Sequence, residues 1–319
     1  MSQKALIHAI KLRDGADTGR HAATESVDGP IWLHFNVAGP NAKAEIKAAA
    51  PYIDDVMIDA LCATDTRPRV EEFENEYLVI LRGINLNPEE DPEDMVSLRI
   101  WSDGSHVISA QRRSVFAARK LAAKLEAGEA PASSSEVIVA LTVTIIENMA
   151  TPIAEIMDEI DDLELEMIDG GRPEHRTKLA DLRHKVLLLR RYFNPLRAAV
   201  GVLKDLAATW LGEKYTKRLR NAHDDLTRYL EDLDTARDRL QFQQEELVTA
   251  ISDRLNKNMY MLSIVAAIFL PLGFITGLFG INVGGMPGVE DLTAFWWVTG
   301  GCTAIAAILA LFFRRSGWF

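Results

Sequence analysis

The chain has 319 residues, room for one large domain or two smaller ones, and 48% of them are hydrophobic. Its formal net charge of −11 excludes nucleic acid as a natural partner and suits cations better. The two cysteines, Cys62 and Cys302, provide neither a disulfide framework nor a zinc-ligand spacing.

The first residues, MSQKALIHAI, lack the charged start and apolar run of a signal peptide, so the water-soluble part of the chain is expected to stay in the cytoplasm. Residues 1–132 mix strand and helix signals. ALIHAIKL (5–12), IWLHFNV (31–37) and EYLVILRGI (76–84) read as strands, and 41–50 and 53–61 as short helices. SLRIW (97–101) and SHVIS (105–109) flank Asp103-Gly104, a hairpin-turn signal. Ser114 to Leu125 reads as a helix. The pattern predicts a small α/β domain with a mostly antiparallel or mixed sheet.

From Pro131 the chain turns helical, and residues 133–255 read as a helical and stalk region. Ser133-x-x-Glu136 has the form of a capping box, opening a helix expected to run to about Ile168. Gly170-Gly171 stops it, and Pro173 suits the first turn of the next helix. A third helix is expected from near Glu213, with no Pro or Gly from Lys214 to Leu270. Leu219, Leu226, Leu230, Leu233, Leu240 and Leu247 fall at three-, four- or seven-residue steps and mark an apolar seam.

The first long helix ends in a dense acidic run: Glu155, Asp158, Glu159, Asp161, Asp162, Glu164, Glu166 and Asp169. Like charges at i,i+3 and i,i+4 repel unless neutralised. Either bound divalent cations or the basic face of a neighbouring helix would do so. Glu155, Asp158, Glu159 and Asp162 are the candidate metal carboxylates, of a type that suits magnesium better than zinc.

Two charge-free apolar stretches close the chain within residues 256–319: Met259–Phe279 and Ala294–Phe313. Each is about 20 residues, enough to span a hydrocarbon core of about 30 Å. Arg254 and Lys257 precede the first stretch, Arg314 and Arg315 follow the second, and the loop between them has no Lys or Arg. The positive-inside rule puts both termini in the cytoplasm and the loop outside. A hairpin of two spans encloses no wide pore by itself, so conduction would require an oligomer.

The order of parts carries a resemblance. A long helix enters the membrane, ends in Phe279-Gly280-Ile281-Asn282, and meets a short loop with Met286-Pro287, followed by a second span and a basic tail. This resembles the CorA superfamily of divalent-cation transporters across the full chain. The Gly-Ile-Asn form within PLGFITGLFGINVGGMPG is similar to the ZntB-like branch, linked to zinc. The resemblance implies a homopentameric funnel in a bacterial inner membrane. Five first spans would line the pore, second spans would face lipid, and Gly280, Ile281 and Asn282 would form the selectivity motif with Asn282 at the outer mouth.

The residues fit that role. An Asn282 amide ring can hydrogen-bond the hydration shell of an ion without stripping it. Gly280 would let the backbone turn and expose carbonyls. Counting back from Gly280 by threes and fours predicts a lining of Gly277, Gly273, Leu270, Ala266, Leu262, Met259 and Asn256. Gly273 stands where magnesium-type members commonly carry Thr. No His, Cys, Asp or Glu lies on this lining, so zinc would pass hydrated rather than directly coordinated. Glu290 and Asp291 would concentrate cations at the outer mouth and stand in for the loop Glu replaced here by Gly288. The seven histidines are scattered, and no P-loop or nucleophile elbow is found, so neither an enzyme nor an ATP-driven pump is expected. No cofactor is called for. The divalent cation, Zn2+ by preference, is cargo, with Mg2+, Co2+ or Ni2+ as the alternative and a membrane-anchored sensor as a third reading.

Overall fold

A computed structural model describes residues 5–12, 30–74, 76–128, 133–168, 171–210, 213–281, 288 and 291–315. Pro131, Asp169, Gly170 and His21, and within the loop Asn282, Met286, Pro287 and Glu290, lie outside the described residues. The chain forms two compact units, Met1–Glu166 with Glu174–Gln243, and Met167–Pro173 with Gln244–Phe319.

The first unit is built on a mixed six-stranded sheet. In chain order its elements are β1 (Leu6–Lys11), β2 (Ile31–Asn36), α1 (Ala42–Ala49), α2 (Asp55–Cys62), β3 (Arg69–Phe73), β4 (Glu76–Gly83), β5 (Val96–Ser102), β6 (Val107–Gln111) and α3 (Phe116–Glu126). They are followed by α4 (Ser134–Glu147), α5 (Ala150–Met167), α6 (His175–Trp210) and α7 (Glu213–Phe279). The strand order is β1-β2-β6-β5-β4-β3, with β2 and β6 parallel and every other neighbouring pair antiparallel. Alternation along the strands sends Leu33, Phe35, Leu78, Ile80, Trp101 and Ile108 to one face, where they pack with Ile46, Ile53, Ile58 and Leu61 of the α1–α2 segment. The opposite face receives α4. A Cβ on Gly83 would sit 3.2 Å from Ile145 Cγ2, so glycine at the end of β4 permits that approach.

Two local expectations are corrected and one strand is added. The β5–β6 connection spans residues 103–106 rather than 102–104, because the Asp103 carboxylate accepts from the backbone N–H groups of Ser105 and His106 at 2.9 and 2.6 Å and holds both out of the strand. The helix from Ser133 is two helices. Pro152 has no N–H to give the carbonyl of Asn148, and the Asn148 side chain turns back to the Thr144 carbonyl at 2.7 Å, so the ladder breaks at Asn148–Met149. Strand β3, an edge strand with three acidic or basic residues among five, was not anticipated. At α4 the Ser133 hydroxyl accepts from the Glu136 N–H at 3.3 Å, and the Glu136 carboxylate accepts from the Tyr215 hydroxyl of α7.

The leucine seam is buried as expected: Leu219, Leu226, Leu230, Leu233 and Leu240 lie within the first unit, and Leu247 lies in the second. In the second unit a Cβ on Gly171 would sit 2.7 Å from Leu247 Cδ1, which makes glycine there a close-approach residue. That unit also holds the end of α7 and α8 (Ala294–Arg315).

Candidate functional site: the membrane end of α7

Among the described residues three stretches are long and apolar enough to cross a membrane: Ser134–Met167, the end of α7, and α8. The first is mostly buried within its own unit and is a core element; the other two have almost nothing buried. Large apolar side chains stand exposed around the end of α7 and α8, among them Phe269, Phe274, Trp296 and Trp297. An apolar surface on all sides is what a lipid environment requires. Trp296 and Trp297 sit at one end of α8 and Arg314 and Arg315 at the other, an interfacial aromatic pair opposite a basic end.

Within this unit α7 carries one covered stripe. Ile264 is 4% exposed, and Ile268, Leu272 and Ile275 are half-buried. At about 100° per residue these four cluster on one side of the helix. The predicted lining falls on the other side: Met259, Leu262, Ala266, Leu270, Gly273 and Gly277 centre about half a turn away, and Asn256 lies at the margin. All seven are exposed, Met259 at 62%, Leu262 at 69% and Leu270 at 72%. On α8 the less exposed positions Ala294, Val298, Cys302, Ile305 and Leu309 likewise follow helical spacing.

The chemistry along α7 is spare. The Ser263 hydroxyl donates to the Met259 carbonyl at 2.9 Å, and the Thr276 hydroxyl donates to the carbonyls of Leu272 at 2.9 Å and Gly273 at 3.2 Å. Both are thereby turned onto their own helix. Pro271 lies inside α7, and its missing N–H leaves the Ala267 carbonyl without the usual helical donor.

Gly280 ends the helix. Its N–H donates to the carbonyls of Thr276 at 2.9 Å and Gly277 at 3.2 Å. Its φ is not positive, so the expected sharp turn is not why glycine stands there. A Cβ would meet the Thr276 carbonyl oxygen at 3.1 Å, a tight contact that glycine avoids. Ile281 follows, exposed. Gly288 does have positive φ, +90°, a conformation a glutamate would adopt only under strain. Asp291 Oδ1 accepts from both the N–H and the hydroxyl of Thr293 at 2.8 Å, just before α8. Those bonds hold its carboxyl below the usual range.

The acidic run on α5 is met by bases. The Arg239 guanidinium of α7 binds Glu164 in a two-pronged pair at 2.9 and 2.7 Å and also reaches Asp161. Lys185 lies 3.3 Å from Glu159, and Lys178 lies 3.0 Å from Glu166. Among the described residues Glu155, Asp158 and Asp162 have no such ion pair. Among the described residues no three His, Cys, Asp or Glu side chains gather in a metal-holding group.

A sequence-family profile described as "CorA-like Mg2+ transporter protein" matches residues 27–315. The Divalent cation transporter CmaX of Pseudomonas aeruginosa is 36% identical over 326 residues, covering 99% of this chain and 97% of that protein. The Zinc transport protein ZntB of Pectobacterium carotovorum is 30% identical over 322 residues, covering 100% and 97%. The solved structure of the full-length CmaX protein matches with a TM-score of 0.82 at 33% identity, over 99% of this chain and 98% of that one. The CorA magnesium transporter of Methanocaldococcus jannaschii shares the fold over both full chains, with a TM-score of 0.83 at 19% identity.

Proposed function

The chain belongs to the CorA-like Mg2+ transporter protein family, and from that premise we propose that it carries divalent metal cations, Zn2+ by preference, across a membrane through a homopentameric pore lined by the end of α7. The observation that carries this reading is the free stripe from Met259 to Gly277, set opposite the covered stripe of Ile264, Ile268, Leu272 and Ile275. A helix with one stripe covered and the other open suits a ring in which each copy turns its open stripe inward. Met259, Leu262 and Leu270 would close the path by dewetting, and Gly273 and Gly277 would widen it toward the mouth. Gly280 and Ile281 would place Asn282 as a ring of neutral amides. Both termini would be cytoplasmic in the bacterial inner membrane, and Glu290 and Asp291 would attract cations outside.

Zinc is supported by the Gly-Ile-Asn motif and by relatives named zinc transport protein at 28–31% identity. The lining offers no ligand that binds bare zinc, so the ion would keep its water and pass by charge and shell size. A second reading, a Mg2+, Co2+ or Ni2+ channel of the same architecture, is favoured by the family description and by a relative named for divalent cations in general. Purified protein in liposomes loaded with a metal-sensitive dye separates them. Zn2+ entry faster than Mg2+ entry is expected. Mg2+ entry without Zn2+ entry selects the second reading, and no entry of any divalent ion contradicts both.

A further inference from the structure

A cavity of about 480 Å³ opens in the first unit, a size that holds a small organic ligand. Period-two alternation puts Arg82 of β4, Arg99 of β5 and Arg112 just past β6 on the same face of three adjacent strands, and all three line the cavity with Arg113. Two carboxylates, Glu93 and Asp94, share the lining. Four guanidinium groups thus gather at one cavity of a protein whose net charge is −11, with Asp65 and Glu90 beside Arg82 and Arg113.

The arginines are unequally provided for. Arg113 lies 3.4 Å from Glu90 and 3.8 Å from Asp94, and Arg82 lies over the Tyr192 ring at 4.2 Å with Asp65 at 3.9 Å. Arg99 is 2% exposed yet makes no ion pair among the described residues. It donates only to the backbone carbonyls of Ala63 at 2.8 Å and Ser97 at 3.3 Å, and its Nε has no partner among the described residues. Arg112 reaches two carbonyls, of Val37 and Cys62, at 3.3 and 3.4 Å. Burial, with the charges of Arg112 and Arg82 beside it, pulls the Arg99 guanidinium down to about 10, so it remains charged at neutral pH at an energetic cost.

We infer that this cavity binds a small phosphate-bearing anion, held by Arg99 and Arg112 with Arg82 and Arg113 at its sides. Arg99 and Arg112, which make no ion pair among the described residues, offer two guanidinium charges to a phosphoryl group, which carries about −1.5 to −2 at pH 7. Guanidinium forks pair with such oxygens in two-pronged, charge-assisted bonds. The cavity belongs to the first unit and the proposed pore to the second, and the test uses no transported metal, so its failure is distinct from failure of the transport reading.

The experiment is calorimetric titration of the full-length protein in lipid nanodiscs, without divalent metal, with pyrophosphate, ATP and citrate as separate probes. Saturable binding of pyrophosphate or ATP is expected, weakened about tenfold or more by Arg112→Gln. Arg99→Lys keeps the charge but loses the fork and should weaken binding as well. Arg113→Gln, at a half-exposed side chain, is the variant for use if a buried change prevents folding, and it should weaken binding by a smaller factor. ATP binding tighter than pyrophosphate assigns a nucleoside phosphate, and equal affinity assigns a free phosphoanion. No saturable binding of either, affinity unchanged in every folded variant, or binding of citrate alone overturns the inference.

Discussion

His34 is fully buried on β2, with Nδ1 2.7 Å from the Ser109 hydroxyl, and that same hydroxyl accepts from Trp32 Nε1–H at 2.7 Å. Burial first, then the neighbouring His8, pulls its pKa from 6.5 down to about 3. The folded chain therefore keeps His34 neutral while the unfolded chain binds a proton below about 6.5. Stability is full above that pH and falls as the pH drops toward 3, by about 1.4 kcal/mol per unit from this group. Urea unfolding followed by tryptophan fluorescence at pH 7.5, 6 and 5 should show that slope, and His34→Gln should flatten it; an equal slope in both would contradict the assignment. Gly280→Ala would press a Cβ against the Thr276 carbonyl oxygen at 3.1 Å. It should lower metal flux in liposomes while leaving the oligomeric mass unchanged, and undiminished flux would remove the steric role of Gly280.

At the level of elements the stalk seam outweighs the surface ion pairs. Leu233 is fully buried, and Leu233→Ala should cost about 2–5 kcal/mol. Arg239→Gln removes a partly exposed pair with Glu164 and Asp161 and should cost about 1 kcal/mol or less. Thermal unfolding of both variants in the same detergent checks the order, and a larger loss for Arg239→Gln would reverse it. The seam was legible because leucines at helical steps have one physical reading. Strands β1, β2 and β4 were legible from their apolar runs, whereas β3 hid behind Arg69, Glu71 and Glu72, since an edge strand can leave its polar side chains in water. The α4–α5 break was also present in the sequence, as Asn148 followed four residues later by Pro152, but a capping signal at Ser133 and a stop at Gly170-Gly171 spoke for one helix. The cavity arginines were legible in part. Arg99 interrupts the apolar run SLRIW and Arg82 ends YLVILR, yet only the strand order β6-β5-β4 brings them together with Arg112.

For the whole molecule, sequence and structure meet at α7. Helical counting from Gly280 selected the exposed side of that helix, but sequence alone gave no sign that Ile264, Ile268, Leu272 and Ile275 are the covered side. That distinction arises from packing within the second unit. The central claim is that the open stripe faces water and metal while the covered stripe does not. In a Cys62→Ser, Cys302→Ser background, single cysteines at Gly273 and Ile268 can be treated with a charged, water-soluble thiol reagent during metal flux in liposomes. Flux should fall on labelling at 273 and stay unchanged at 268. Block at 268 with none at 273 would contradict the account.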